Sequence, residues 1–271
     1  MGEINFPFQC ARQNTTRQRS NGEMHDLLLA YAPAVWFGEA WPATLHWMQL
    51  CAITDRRRLP AQADAQPEAS LRQRLLNLVE GWATGGVDFI QLREKDLAAP
   101  ALESLAREMM AKIARSHAKL LVNVSTPGSV ALALAAGADG VHLAGKPAAG
   151  AARGVRQAFR SNGLAAIISM PCHSLEDIDL AWKEQVDLVL FSPVFEKLSE
   201  RLGAPEVSAP QGLEALRRAC AAAHGIPVFA LGGVTGANAP DCLAAGAAGV
   251  AGIRLFAGDD WRQLRTGPPP S

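Results

Sequence analysis

The sequence lacks a net charge, closely spaced cysteines and any long apolar run. Lysine and arginine together number 26, as do aspartate and glutamate, so bulk charge gives no support for binding to nucleic acid or to a membrane surface. The five cysteines form neither a CxxC pair nor the spacing of a metal site, and their odd number favours reduced thiols. No stretch reaches the roughly 20 apolar residues of a membrane span. We expect a cytoplasmic protein that binds neither nucleic acid nor a membrane.

The first 47 residues differ in kind from the rest. They join a polar stretch, ARQNTTRQRSNGEM, to an apolar one that is broken by Pro33 and Glu39. A signal peptide needs a basic start followed by an unbroken apolar centre, and that order is missing. We expect residues 1–47 to be a poorly ordered extension or a start-site artefact, with Met48 as the true start. The alternative is an arm that packs on the protein or binds a partner.

From Met48 onward, short apolar segments alternate with amphipathic ones. Hydrophobic residues make up 49% of the chain, enough for a large core, and residues 71–82 place their apolar side chains on one helical face. Strands are predicted at 49–54, 88–92, 119–124, 140–143, 165–169, 187–191, 227–231 and 249–253. Strands that each connect to a helix predict one α/β domain over residues 48–271, a (β/α)8 TIM barrel. The alternative, an open doubly wound sheet, usually has a glycine-rich turn after its first strand, and TDRRRLP is not one.

The second predicted strand ends in the charged stretch QLREK, residues 91–95. Active sites of such barrels lie at the carboxyl ends of the strands. Gln91, Arg93 and Lys95 alternate in strand register and so point to one side, while Glu94 points away or bridges to a neighbouring element. Two cations at the barrel mouth suit a phosphate or pyrophosphate. The alternative is a salt-bridged strand end without a ligand.

Glycines and an arginine follow the last two predicted strands. Gly232 and Gly233 allow the backbone to approach a ligand closely, and Ile253 and Arg254 follow strand eight. Loops after strands seven and eight of such barrels commonly form a phosphate site from backbone N–H groups. The sequence therefore predicts a second anion site here, with a tight turn as the alternative explanation of the glycine pair.

Several short motifs occur in a fixed order. They are AITD (52–55), QLREK (91–95), GADGVHL (137–143), HSLED (173–177), SPVFE (192–196), LGGV (231–234) and GAAGVAGI (246–253). Over about residues 48–257 they resemble the thiamine phosphate synthase and thiazole tautomerase (TenI-like) superfamily. The resemblance implies a transferase of thiamine biosynthesis that joins a hydroxymethylpyrimidine pyrophosphate to a thiazole phosphate and releases pyrophosphate. It also implies Mg2+ as a cofactor, and it leaves open a homo-oligomer.

The resemblance also implies roles for individual residues. Those expected to bind substrate are Gln91, Arg93, Lys95, Asn123, His142, Ser199, Gly232, Gly233, Ile253 and Arg254. Arg93, Lys95 and His173 are expected to carry catalysis. The alternative for His142 is a structural or supporting role. The alternative for His173, at the start of a helix, is an N-cap or packing role. Arg254 replaces the family's usual serine and either adds a charged phosphate contact or blocks the site.

The sequence departs from the synthases or from the tautomerases at four places. Val124 stands where the synthases have a metal-binding aspartate, and AGKPAAG (144–150) contains no carboxylate to supply the second one, so the metal ligands are unknown. Pro171 replaces a serine of the synthases, and Pro193 replaces the catalytic histidine of the tautomerases.

Three hypotheses remain open. The first, favoured by the number of motifs, is a divergent synthase whose metal is held by substrate pyrophosphate and water. The second is a TenI-like thiazole phosphate tautomerase that uses His173 or Glu196. The third is a non-catalytic thiazole-phosphate-binding barrel. Asp55 is the other carboxylate expected near the site.

Overall fold

The computed structural model of the protein describes residues 48–59, 68–125, 127–196 and 209–265. The predicted extension over residues 1–47 lies outside this range, and so does Ser199. What was expected of both stays a prediction.

Eight parallel strands close into a barrel in chain order. Their bounds are β1 Gln49–Ile53, β2 Phe89–Leu92, β3 Lys119–Val124, β4 Gly140–Leu143, β5 Ile167–Cys172, β6 Leu188–Phe191, β7 Val228–Leu231 and β8 Gly249–Gly252. The sheet closes because β1 pairs with β2 on one side and with β8 on the other. The predicted (β/α)8 barrel is confirmed.

The fifth strand departs most from its predicted bounds of 165–169. It runs three residues further, through Pro171. Pairing between β4 and β5 reaches only Ser169, whereas pairing between β5 and β6 continues through Pro171 and Cys172. The proline therefore lies beyond the stretch paired with β4, where a missing N–H is tolerated.

Helices surround the barrel. They are α1 Glu68–Thr84, α2 Ala99–Ile113, α3 Pro127–Ala136, α4 Ala151–Arg160, α5 Leu175–Lys183, α6 Gly212–Ala222 and α7 Ala239–Ala244. Short 3-10 turns cover Arg56–Arg58, Arg254–Phe256 and Asp260–Arg265. The predicted apolar face of α1 is buried at Leu75, Val79 and Trp82. In the described part of the chain, none of the helices combines the length and apolarity needed to cross a membrane.

Apolar side chains fill the interior of the barrel. They come from the first strand to the last and comprise Cys51, Ile53, Phe89, Leu121, Leu188, Leu190, Phe229 and Ala251. Phe89 and Phe229 contact each other edge to face, with ring centroids 5.7 Å apart. Polar residues follow them toward the carboxyl ends of the strands, such as Gln91 after Phe89 on β2. The interior is therefore a packed core, and its polar end is where a site can form.

Candidate functional site

A cavity of about 670 Å3 opens at the carboxyl ends of the strands, and all eight strands contribute to its lining. Its volume falls within the usual range for a small-molecule site. The predicted site residues that line it are Gln91, Arg93, Lys95, Asn123, His142, His173, Gly232, Gly233, Ile253 and Arg254. The structure thus brings together every predicted site residue that it describes. Their roles toward a ligand stay predictions.

The end of β2 forms a cationic wall of the cavity. Arg93 is half-buried and Lys95 is exposed, and both line the cavity beside Gln91. Their alternation continues beyond Leu92, where the strand ends. Burial lowers the pKa of the Arg93 guanidinium, and the nearby carboxylate of Asp55 opposes that effect. An anion that enters the cavity would meet both cations on one side.

Glu94 turns away from the cavity and is buried against the turn that follows β1. Its carboxylate accepts hydrogen bonds from the backbone N–H of Arg56 at 3.1 Å and from Nη1 of Arg56 at 2.9 Å. The Arg56 guanidinium also binds Asp96 at 2.7 Å and Glu68 at 2.6 Å. These four residues form the Arg56 cluster. The bridge predicted for Glu94 is thus present, and it fastens the turn at residues 56–58 to the end of β2.

Within the Arg56 cluster, each ion-pair partner favours the charged form of the other. Hydrogen bonds from Arg56 hold the pKa of Asp96 below its usual range. In return, the hydrogen bond to Asp96 and the other carboxylates raise the pKa of Arg56. The Arg56 side chain is only 2% exposed, so its charge depends on these partners rather than on water.

Two polar pairs lie beneath the cavity mouth. Gln91 donates from Nε2 to Oδ1 of Asn123 at 3.1 Å, and Nδ1 of His142 lies 2.8 Å from Oγ of Ser169. Oε1 of Gln91 is buried and has no hydrogen-bond partner among the described residues. A buried acceptor without a partner is costly. A ligand that donates an N–H group to Oε1 would remove that cost.

His142 is held in its neutral form. Burial, assisted by the positive charge of Arg93, lowers the pKa of its imidazole to about 3. The ring therefore stays uncharged at neutral pH. His142 can accept or donate one hydrogen bond to a ligand, but it supplies no positive charge.

This burial predicts a pH dependence of stability. The ordinary pKa of histidine is 6.5, whereas that of folded His142 is about 3. Between these two pH values His142 is protonated in the unfolded chain but not in the folded protein. The free energy of unfolding therefore falls as the pH falls, with His142 contributing a slope of up to about 1.4 kcal/mol per pH unit. Urea unfolding between pH 4 and 7 should show a shallower slope for His142→Asn than for the wild type. Equal slopes would contradict the assignment.

His173 lies at the cavity edge in front of α5. Its Nδ1 is 2.7 Å from the carbonyl oxygen of Ser192. A carbonyl only accepts, so Nδ1 carries a proton and Nε2 is unprotonated in the neutral ring. The alternative N-cap role for His173 is wrong, because Ser174 is the N-cap and its Oγ accepts from the N–H of Asp177. His173 instead donates its own backbone N–H to the Asp177 carboxylate at 2.8 Å.

Packing within the protein explains why the second residue of the glycine pair after β7, Gly233, is a glycine. Gly232 and Gly233 have φ values of 95° and 66°, a region that glycine adopts without strain. A Cβ on Gly233 would lie 2.5 Å from the carbonyl oxygen of Glu196 and 2.7 Å from Cβ of Phe195. The close approach at Gly233 is therefore to the loop after β6. An approach to a ligand at this pair stays a prediction.

Gly233→Ala should destabilise the protein more than Gly145→Ala. Both glycines have a φ of 66°, so both variants share the cost of a left-handed alanine. Only Gly233 faces backbone atoms, because a Cβ on Gly145 meets nothing within 4 Å. The clash should add about 1–3 kcal/mol to the loss of unfolding free energy. Urea denaturation of both variants tests this, and equal losses would contradict it.

The residues described do not offer a metal site. They contain no group of three or more histidine, cysteine, aspartate or glutamate side chains placed to hold an ion. Val124 is buried at 5% exposure and has no side-chain oxygen. Among the carboxylates that line the cavity, Asp55 is paired with Arg58 at 3.0 Å. Because Mg2+ prefers several oxygen ligands in octahedral geometry, this set does not fit a metal held by the protein.

Arg58 was missed by the sequence analysis, although it lines the cavity with Arg93 and Lys95. It belongs to a run of three arginines that reads as a solvated charge cluster. The signal that could have identified it is its place after β1, since the loops that follow barrel strands form the site.

Comparisons with known proteins agree with this geometry. A profile of the family described as thiamine monophosphate synthase matches residues 63–256. A Geobacter sulfurreducens protein named "Putative thiamine-phosphate synthase" is 43% identical over 187 residues, which cover 68% of this chain and 80% of that protein. A thiamine-phosphate synthase of Methanoculleus marisnigri is 36% identical over 179 residues, covering 65% and 77% of the two chains. The solved structure of thiamine phosphate pyrophosphorylase from Pyrococcus furiosus has a TM-score of 0.61 and 26% identity, covering 81% of this chain and 93% of that one.

Proposed function

The chain belongs to the thiamine monophosphate synthase family, and from that premise we propose that it is a transferase of thiamine biosynthesis. It joins a hydroxymethylpyrimidine pyrophosphate to a thiazole phosphate. The bond between the pyrimidine methylene carbon and the pyrophosphate oxygen breaks, and the bonding electrons leave with pyrophosphate. The ring nitrogen of the thiazole then supplies the electron pair for the new carbon–nitrogen bond.

The observation that carries this proposal is a single cavity with cations at the end of β2 and glycine-rich backbone after β7 and β8. The cationic wall at the end of β2 suits the pyrophosphate, because charge-assisted hydrogen bonds from Arg93 and Lys95 stabilise a multiply charged leaving group. The backbone at Gly232 and Gly233 after β7, together with that at Ile253 and Arg254 after β8, suits the single phosphate of the thiazole. A cavity for one phosphorylated molecule would need only one such end.

Between these ends the cavity suits aromatic rings. Leu190, Leu231 and Ile253 supply apolar surface in the lining. The unpartnered Oε1 of Gln91 suits an amino group on the pyrimidine, since that oxygen needs an N–H donor. Asn123, already bonded to the other end of the same amide, keeps this acceptor oriented.

The reaction needs little acid–base chemistry from the protein. The developing negative charge lies on pyrophosphate, and Arg93 and Lys95 are placed to stabilise it as the bond breaks. His142 is neutral and contributes a hydrogen bond rather than charge. His173 is proposed to bind substrate through Nε2, since Ser192 holds the proton on Nδ1.

We propose that a metal ion in the synthase reaction would be held by pyrophosphate oxygens and water. The described residues do not supply the ligands that the family resemblance implies. When present, Mg2+ would neutralise charge on the leaving group.

We further propose a cytoplasmic location, in keeping with the free thiols of Cys51, Cys172, Cys220 and Cys242. A homo-oligomer is a further proposal, tested by the mass of the protein in solution.

A product assay tests the proposed function. The purified protein would be mixed with the pyrimidine pyrophosphate, the thiazole phosphate and Mg2+, and thiamine phosphate would be detected by fluorescence after oxidation to thiochrome. Product that requires both substrates is the expected result. Metal-free isomerisation of the thiazole phosphate alone would favour the tautomerase, with Nε2 of His173 as the base. Binding of the thiazole phosphate without turnover would favour the non-catalytic barrel.

A further inference from the structure

Three consecutive arginines in the turn after β1 point in three directions. Arg56 is buried in its cluster. The side chains of Arg57 and Arg58 are 64% and 61% exposed, and they pair with Asp96 at 2.7 Å and Asp55 at 3.0 Å respectively. Of the three, only Arg58 is part of the cavity lining. The turn thus presents one cation to the cavity and its neighbour, Arg57, to solvent.

The turn that carries Arg58 is fastened by Glu94 through Arg56. The Glu94 carboxylate receives the backbone N–H of Arg56, and the N–H of Arg58 donates to the carbonyl of Asp55 at 3.0 Å. These bonds fix both ends of the three-residue turn. The N–H of Arg93 in turn donates to Oγ1 of Thr54 at 2.9 Å. The ends of β1 and β2 are therefore joined, and the turn that carries Arg58 is held beside Arg93.

The charges on this wall are unbalanced. The carboxylate of Asp55 pairs with Arg58, and the carboxylates of Asp55 and Glu94 both act on Arg93. Glu94 is already bonded to Arg56, so Asp55 is left to balance Arg58 and Arg93. Arg58 is close enough for its positive charge to lower the pKa of Arg93. Cations held near one another without matching carboxylates favour a ligand with several negative charges.

We propose that Arg58 is a third pyrophosphate-binding residue, and that with Arg93 and Lys95 it binds pyrophosphate without a divalent metal ion. This inference rests on the proposed function. It adds Arg58 to the pyrophosphate site and names side chains as the source of the positive charge there. Arg58 leaves Asp55 when the ligand arrives, which costs little because the Arg58 side chain is 61% exposed. Its planar guanidinium can then bind two phosphate oxygens at once. Positive charge from side chains thus replaces the charge that metal-binding aspartates would have recruited.

The test is a titration of inorganic pyrophosphate into the full chain by calorimetry, in EDTA and then in Mg2+. The wild type should bind pyrophosphate in EDTA. Arg58→Ala should weaken that binding by about tenfold or more, the loss expected for one hydrogen-bonded charge. Arg57→Ala is the matched control, because it removes an adjacent arginine of similar exposure that lies outside the cavity lining. It should change the dissociation constant by less than about twofold.

Each other outcome overturns the inference in a recognisable way. If Arg58→Ala and Arg57→Ala bind pyrophosphate equally well, Arg58 has no part in the site. If the wild type binds only when Mg2+ is present, the metal-free mode is wrong. In both cases thiamine phosphate formation from the two substrates would still support the proposed function, which fails only if that product is absent. No pyrophosphate binding under either condition would also overturn the inference, whatever the product assay shows.

Discussion

The double variant Arg93→Ala/Lys95→Ala should lose at least about a hundredfold of the rate of thiamine phosphate formation, the usual effect of deleting even one preorganised donor at a site of developing charge. Both side chains lie on the cavity wall where we place the pyrophosphate. The bond to the leaving group breaks with its electrons, so negative charge grows there in the transition state. Removing both cations leaves that charge to be stabilised by the remaining groups and by water.

The same variant should remain folded. Lys95 is exposed and Arg93 is half-buried, and neither belongs to the Arg56 cluster. A matched control is Lys146→Ala/Arg153→Ala, which removes two exposed cations that do not line the cavity. The rate is measured by thiochrome fluorescence and folding by urea denaturation. A double variant that keeps the wild-type rate would show that the wall at the end of β2 is not the pyrophosphate site.

Glu94→Ala should be the most damaging single change to stability among those considered. Glu94 is the buried partner of the buried Arg56 guanidinium, and the variant removes it. Breaking a buried ion pair by removing one partner costs about 3 kcal/mol or more of unfolding free energy. Asp96 and Glu68 remain, but their side chains are 27% and 57% exposed, so water weakens their hold. Asp96→Ala should therefore cost less than Glu94→Ala in urea denaturation.

A second comparison separates the buried charge from the packing around it. In Arg56→Met/Glu94→Met both charges are replaced by apolar side chains. This variant should be more stable than Glu94→Ala, because no unpaired charge is left inside the protein. If the double variant is the less stable of the two, Arg56 still stabilises the protein through Asp96 and Glu68 when Glu94 is absent, and the unpaired charge is not the dominant cost of Glu94→Ala.

The barrel was predictable from the sequence because its signal repeats. A glycine followed by an apolar segment recurs before several strands, and each segment has few ways to be buried other than as a central strand. The end of β5 was missed because Pro171 reads as a strand breaker. Only the pairing with β4, which stops at Ser169, explains why a proline is tolerated there.

The site was predictable where strand alternation decides which way a side chain points. Gln91, Arg93 and Lys95 follow that rule, and all three line the cavity. Arg58 could not be identified in this way, because the sequence does not distinguish it from Arg56 and Arg57. Arg56 is turned toward the Glu94 carboxylate in the loop after β2, while Arg57 and Arg58 pair with Asp96 and Asp55. Long-range contacts of this kind are not visible in local sequence patterns.

Closure of the barrel also has a consequence for how the protein is made. Gln49 in β1 pairs with Gly249 in β8, two hundred residues later in synthesis. At ordinary ribosomal rates, β1 waits roughly 10–40 s for this partner to emerge. During that interval one edge of an apolar strand is open to pairing with other chains. Contacts so distant in sequence also slow folding, so we expect the open edge of β1 to stay an aggregation risk until translation is nearly complete.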